Sequence, residues 1–195
     1  MQLRAICIFA GSSAGSRPEY GKAAHEVGSA LAQQGMRLIY GGSRAGLMGL
    51  VADAALEAGG EVTGVIPADL VTKEAAHRGL SDLRVVDSMH ARKALMADLA
   101  DAFVALPGGF GTFEETFETL TWTQLGVHAK PTGLVNVLGF FDDLAVFLDR
   151  GVDEGFIRKD DRALVHIEDN VMALLARLAA FRPPTAEKWV DRRSL

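Results

Sequence analysis

The 195-residue chain has one cysteine, Cys7, so an internal disulfide and a cysteine-rich zinc site are both excluded. That thiol sits in the apolar run 5–10, which suits a reducing compartment, and a cytoplasmic protein is expected. The run ends at Gly11-Ser12, too soon for a signal-peptide core and far too soon for a membrane span. Neither export nor membrane association is indicated. The five histidines are scattered without the HExxH spacing of a metalloprotease helix, so each is read as structural or surface and no metal is expected. No serine occupies a GxSxG elbow, and no lysine has the setting of a Schiff-base partner for pyridoxal phosphate. The formal net charge of -5 would repel a polyphosphate backbone, so nucleic acid is not an expected partner.

Glycine, in contrast, is abundant at 21 residues, among 49% hydrophobic and 23% charged residues, a balance ordinary for an α/β protein. The length suits one core. The chain is read as a Rossmann-like domain over 1–181 with a polar, proline-broken tail over 182–195. Short aliphatic runs at 5–10, 37–40, 62–66, 102–106 and 133–137 predict strands, with further short ones at 83–86 and 164–167. Helical patterns fill the gaps at 19–34, 47–58, 89–100, 113–125, 141–150 and 171–181. This alternation implies a single-domain α/β fold, a parallel sheet flanked by helices. In such a sheet ligands bind beyond the carboxyl ends of the strands, so the loops that follow strands matter most.

Three of those loops are built of small residues: Gly11-Ser12-Ser13, Gly41-Gly42-Ser43-Arg44-Ala45-Gly46, and Pro107-Gly108-Gly109-Phe110-Gly111-Thr112. Glycine lets backbone N–H groups approach an anion, and the following helix adds a favourable dipole. Phosphate binding is the natural reading, although glycine-rich βα turns also occur without any ligand. The second loop has the glycine spacing of a P-loop, but Leu47 and Met48 stand where Lys and Ser or Thr would be needed. A dinucleotide fingerprint fails as well, with Ser43 at its middle glycine in that loop and Glu114 at its third glycine in the last.

Glu114 and Glu115 follow the last loop directly. Thr112 with Glu115 three residues on has the form of a capping box. The functional alternative aims one carboxylate across the cleft at a sugar, to stabilise an oxocarbenium-like centre or to orient water. Arg92 and Lys93 open the preceding helix, where two adjacent cations are unfavourable for the dipole and call for a nearby anion. On a solvated helix face such a pair has no special role.

Together, Pro107-Gly108-Gly109-Phe110-Gly111-Thr112-Phe113-Glu114-Glu115 resembles the PGGxGTxxE signature of the LOG ("lonely guy") family of cytokinin riboside 5'-monophosphate phosphoribohydrolases. The resemblance extends through Met89-His90-Ala91-Arg92-Lys93, Gly41-Gly42-Ser43 with Gly46-Leu47-Met48-Gly49, and the stretch from Thr121 to Gly126. It implies Arg92 and Glu115 as the catalytic pair. It also implies a nucleoside 5'-monophosphate site lined by Glu74, Met89, Lys93, Thr121, the loop Gly41 to Ser43, and Gly108, Gly109, Phe110, Gly111, Thr112 and Glu114. No metal or redox cofactor is implied, and a homodimer with the site near its interface is. Phe110, Phe113 and Ser43 replace the Tyr, Leu and Gly frequent in the family, which bears on the shape of the base pocket. The alternatives are a general AMP hydrolase and a non-catalytic nucleotide or molybdenum-cofactor carrier, which would have no need of Arg92 with Glu115.

Overall fold

The aliphatic runs become strands covered on both faces. β1 (Ala5–Phe9), β3 (Val62–Pro67) and β5 (Ala102–Ala105) are buried at every position, which is why they lack polar alternation. The computed structural model describes residues 2–71 and 76–183. β2 (Arg37–Tyr40), β4 (Asp82–Val86), β6 (Thr132–Val135) and β7 (Val165–Glu168) complete a seven-stranded sheet in the order β4-β3-β2-β1-β5-β6-β7. All six pairings are parallel.

Parallel strands require crossovers, and the helices supply them on both faces. α1 (Pro18–Gln33), α2 (Gly46–Glu57) and α7 (Val171–Ala180) pack on one face through Val27, Leu31, Leu47, Val51 and Leu174. α3 (Met89–Leu99), α4 (Phe110–Gln124) and α5 (Asp142–Asp153) cover the other through Met96, Ala97, Leu120 and Leu148. A short helix, α6 (Lys159–Arg162), and a 3-10 turn at Val137–Gly139 join the last elements, and neither is evident in the sequence pattern. The single-domain α/β fold with a parallel sheet matches the expectation. Of the tail expected over 182–195, residues 184–195 lie outside the described residues. Among the described residues, no helix is long and apolar enough to cross a membrane.

The chain winds outward from β1 to β4 and then returns to β5 beside β1. β1 and β5 therefore form the switch point, where the loops beyond their carboxyl ends separate and leave a crevice. α4 starts three residues earlier than the 113–125 pattern predicts, because Gly109 adopts an extended N-cap conformation and Phe110 is already helical. The buried face of α4 is threonine-rich. Thr116, Thr119 and Thr123 donate their hydroxyls to the carbonyls of Thr112, Thr116 and Thr119 at 2.6, 2.9 and 3.0 Å, so no polar group there is buried unsatisfied.

α1 and α2 touch at Gly28, where a Cβ would fall 2.2 Å from the Val51 carbonyl oxygen and 2.9 Å from the Ala55 nitrogen. Gly to Ala inside a helix ordinarily stabilises. Gly28→Ala is expected to do the reverse, by roughly 1–3 kcal/mol through overpacking, read as a Tm lowered by several degrees in thermal denaturation. A raised Tm would contradict the close approach of the two helices.

Candidate functional site

The switch point is stapled by backbone bonds. Gly11 N–H donates to the Pro107 carbonyl at 3.1 Å, and the Gly11 carbonyl accepts from Leu47 and Met48 at 2.9 and 3.4 Å. The N-terminus of α2 is thus occupied by protein. Gly46, with φ +54, lies so close to the Ser12 backbone that a Cβ would stand 2.4 Å from its carbonyl carbon. Ser43 is fully buried, with its Oγ accepting from Ala45 N–H at 3.2 Å, and Gly42 packs against Val65, Ile66 and Leu83. The amides engaged by Gly11 are those of Leu47 and Met48 in the first turn of α2, and Gly41, Gly42 and Ser43, expected at the nucleotide site, lie on the turn that leads into that helix. Gly41 alone of its residues meets a reactive group: a Cβ there would fall 1.8 Å from Arg92 Nη2.

The loop after β5 behaves differently. Gly109 caps α4 without a side-chain hydrogen bond, and Gly109 and Gly111 face open space. The first-turn N–H groups are therefore the uncapped donors of the site. Gly108 is required for close packing, because a Cβ would lie 2.1 Å from Thr112 Oγ1. The capping box read from Thr112 and Glu115 does not form. With Phe110 as the first helical residue, both lie inside the helix, and Glu115 is freed for other work.

Ser88 caps α3 by accepting from Ala91 N–H at 3.1 Å, which sets Arg92 and Lys93 in its first turn facing α4. The anions called for by two cations at a helix start are the carboxylates of α4. Lys93 Nζ donates to Glu114 Oε1 and, at 2.9 Å, to Glu118 Oε1. Burial alone would lower the Lys93 ammonium, but these hydrogen bonds outweigh it and raise its pKa. Arg92 is 5% exposed, and its Nη2 stands 3.9 Å from Glu115 Oε1, beyond hydrogen-bond reach. Arg92 Nη1 donates to Met89 Sδ at 3.6 Å, while its buried Nε has no partner among the described residues. Burial raises the Glu115 carboxyl, Arg92 pulls it down and Glu114 pushes it up, leaving it at about 7. A guanidinium and a carboxyl near neutrality thus lie side by side in a crevice, the kind of perturbed pair that marks a candidate functional site.

The crevice encloses about 250 Å³. Ala10, Gly11, Ser12 and Met48 form one wall, Met89, Arg92, Glu114 and Glu115 the other, and Gly109 to Thr112 the mouth. Phe110 projects there at 93% exposure. Of the residues expected at a nucleotide site, Thr121 is not brought to the crevice by its own chain. It bonds to the Phe117 carbonyl at 2.7 Å and lines a separate groove with Phe117, Gln124 and Phe156. Glu74 lies outside the described residues. Among the described residues, no group of three or more His, Cys, Asp or Glu could hold a metal ion.

The pairing of buried His77 with Asp53, Nε2 to Oδ1 at 2.8 Å, is missed by a reading that treats every histidine alike. The two residues lie 24 positions apart on different elements, and no motif links them.

The profile of a family described as "possible lysine decarboxylase" matches residues 48–178. A cytokinin riboside 5'-monophosphate phosphoribohydrolase of Arabidopsis thaliana is 44% identical over 93% of this chain and 84% of its own. The corresponding protein of Oryza sativa subsp. japonica is 45% identical over 93% of this chain and 75% of its own. Among solved structures, the molybdenum cofactor carrier protein of Chlamydomonas reinhardtii superposes with a TM-score of 0.70, covering 92% of this chain and 100% of its own. Its identity of 23% makes that a likeness of fold alone. The profile match runs from Met48 at the crevice wall through the whole of α3 and α4, and with the identity to the plant proteins it shows that this chain belongs to the "possible lysine decarboxylase" family, the LOG family.

Proposed function

We propose that the crevice hydrolyses the N-glycosidic bond of adenosine 5'-monophosphates, N6-substituted ones included, to free base and ribose 5-phosphate, and so releases active cytokinin. The observation that carries the reading is the buried, incompletely paired Arg92 and Glu115 next to the open start of α4. The relatives in Arabidopsis and rice bear the name of this activity.

The uncapped N–H groups at Gly109 to Thr112 suit the 5'-phosphate, which is drawn by the helix dipole. Lys93 has both of its carboxylate partners on α4 and steadies that helix against α3. With the phosphate there, the ribose lies toward Glu115 and the base toward Met48, Met89 and Phe110. As the C1'–N9 bond breaks, its electron pair leaves with the purine. Ionised Glu115 stabilises the positive charge on the sugar and takes a proton from the attacking water, while Arg92 donates hydrogen bonds to the departing purinide, which takes up a proton from solvent to leave as free base. A carboxyl titrating near 7 is matched to that proton transfer.

The assembly in this reading is a homodimer with the site near its interface. In support, Phe117 and Phe156 stand exposed at the groove beside Thr121, and Val146 and Phe147 are exposed on α5. A second copy over that groove also accounts for the position of Thr121. The fully buried Cys7, the one thiol of the chain, fits the cytoplasm.

Base should be released from AMP and from isopentenyladenosine 5'-monophosphate but not from the nucleosides, as followed by HPLC. Glu115→Ala should abolish release while keeping the native circular dichroism. Retained activity would remove Glu115 from the mechanism, and no release by the wild type would point to a carrier. Glu115 must be ionised to act, so kcat/KM should rise with pH through about 7 and fall about tenfold per unit below it.

Its folded-state pKa is raised, so Glu115 favours folding most below its ordinary 4.5 and loses that contribution as pH climbs through about 7. The Tm of Glu115→Gln relative to wild type should therefore increase between pH 5 and pH 8. Phe156→Asp should shift the protein from dimer to monomer in light scattering.

A further inference from the structure

We infer that His77, held by Asp53, is a positioning residue for the reaction: it fixes the Gly41-Gly42 turn against which the Arg92 guanidinium is seated. The inference rests on the role proposed above for Arg92. His77 is 4% exposed and bonds three ways. Its backbone N–H donates to the Gly42 carbonyl at 2.9 Å. Its Nδ1 accepts from Gly79 N–H at 3.2 Å, so in the neutral ring the proton resides on Nε2, which donates to Asp53 Oδ1 at 2.8 Å. Next to it, Ala76 pairs with Ser43 in an antiparallel bridge. Residue 77 thus holds the turn after β2 through its backbone N–H, while its imidazole anchors that backbone to α2, which carries Asp53, and to Gly79.

What that turn does for the site follows from Arg92. Among the described residues its Nε has no partner, its Nη1 donates to the Met89 thioether sulfur at 3.6 Å, and its Nη2 stands 3.9 Å from Glu115 Oε1. Among the described residues its hydrogen bonding is confined to one weak contact with sulfur, so the wall it rests on matters for its position. That wall is Gly41, where even a Cβ would fall 1.8 Å from Nη2. The neighbouring Gly42 keeps φ +74 while its carbonyl is gripped by His77. A shift of the turn moves the seat of Arg92, and misplacement of a reacting group by about 1 Å costs up to about a hundredfold in rate.

A histidine that merely packs predicts loss in proportion to destabilisation. Positioning through Asp53 predicts dependence on the Nε2 bond. In the full chain, His77→Gln places an amide donor near the Nε2 position, while the shorter His77→Asn keeps its carboxamide near Nδ1 and does not reach Asp53. We expect His77→Asn and Asp53→Ala to lower kcat for AMP on the order of tenfold with Tm changed by a few degrees. His77→Gln and Asp53→Asn should recover most of the rate. The Asp53→Ala, His77→Asn double variant should be no slower than the worse single one. Equal losses in Gln and Asn, kcat falling only in step with Tm, or additive losses in the double variant would overturn the inference. If the wild type releases no base, the hydrolase reading fails by itself. The same Gln and Asn contrast is then measured in AMP affinity by calorimetry, where a contrast supports the clamp and its absence overturns it.

Discussion

A guanidinium and a carboxylate held together away from water, yet too far apart to hydrogen-bond, set the terms for the rest of this molecule. Burying Arg92 and Glu115 disfavours both charges. Each would be compensated by a closed bridge, but at 3.9 Å the bridge stays open and the Glu115 carboxyl sits at about 7. A fold that stabilised itself first would bring them into contact. The separation persists because α3 and α4 are fixed by the sheet and by the Lys93 bonds to Glu114 and Glu118. Adjacent carboxylates on one helix thereby differ in role: Glu114 is half exposed and paired with lysine, and Glu115 is turned inward beside arginine.

The glycine loops divide their labour in the same manner. Backbone at Gly46 and Gly108 must come within contact of Ser12 and Thr112, so those glycines serve close packing at the switch point. At Gly109 and Gly111 a Cβ would meet no atom of the described residues within 4 Å, which leaves the start of α4 open. Two helix N-termini lie at the switch point: the Gly11 carbonyl accepts from Leu47 and Met48 in the first turn of α2, whereas the first turn of α4 has no side-chain cap. The rule that anions collect at helix starts thus selects between loops only after their hydrogen bonds have been followed.

Periodicity and composition alone determined the layered α/β architecture, the strands to within a residue or two, and the crevice beyond the strand ends. Burial on both faces of a parallel strand is written locally as an uninterrupted aliphatic run. That Arg92 and Glu115 belong together was legible only through the family resemblance, carried by the separate stretches Met89 to Lys93 and Pro107 to Glu115. The start of α4 was not, because Gly109 in an extended cap and Phe110 in a helix read alike as loop. Only the tertiary structure decided which glycine loop is open, that Thr121 faces a separate groove, that Gly41 seats Arg92, and that His77 reaches Asp53. Each of these depends on a contact between elements that are distant in the chain and neighbours only in the folded sheet, and no local pattern of residues encodes such a contact.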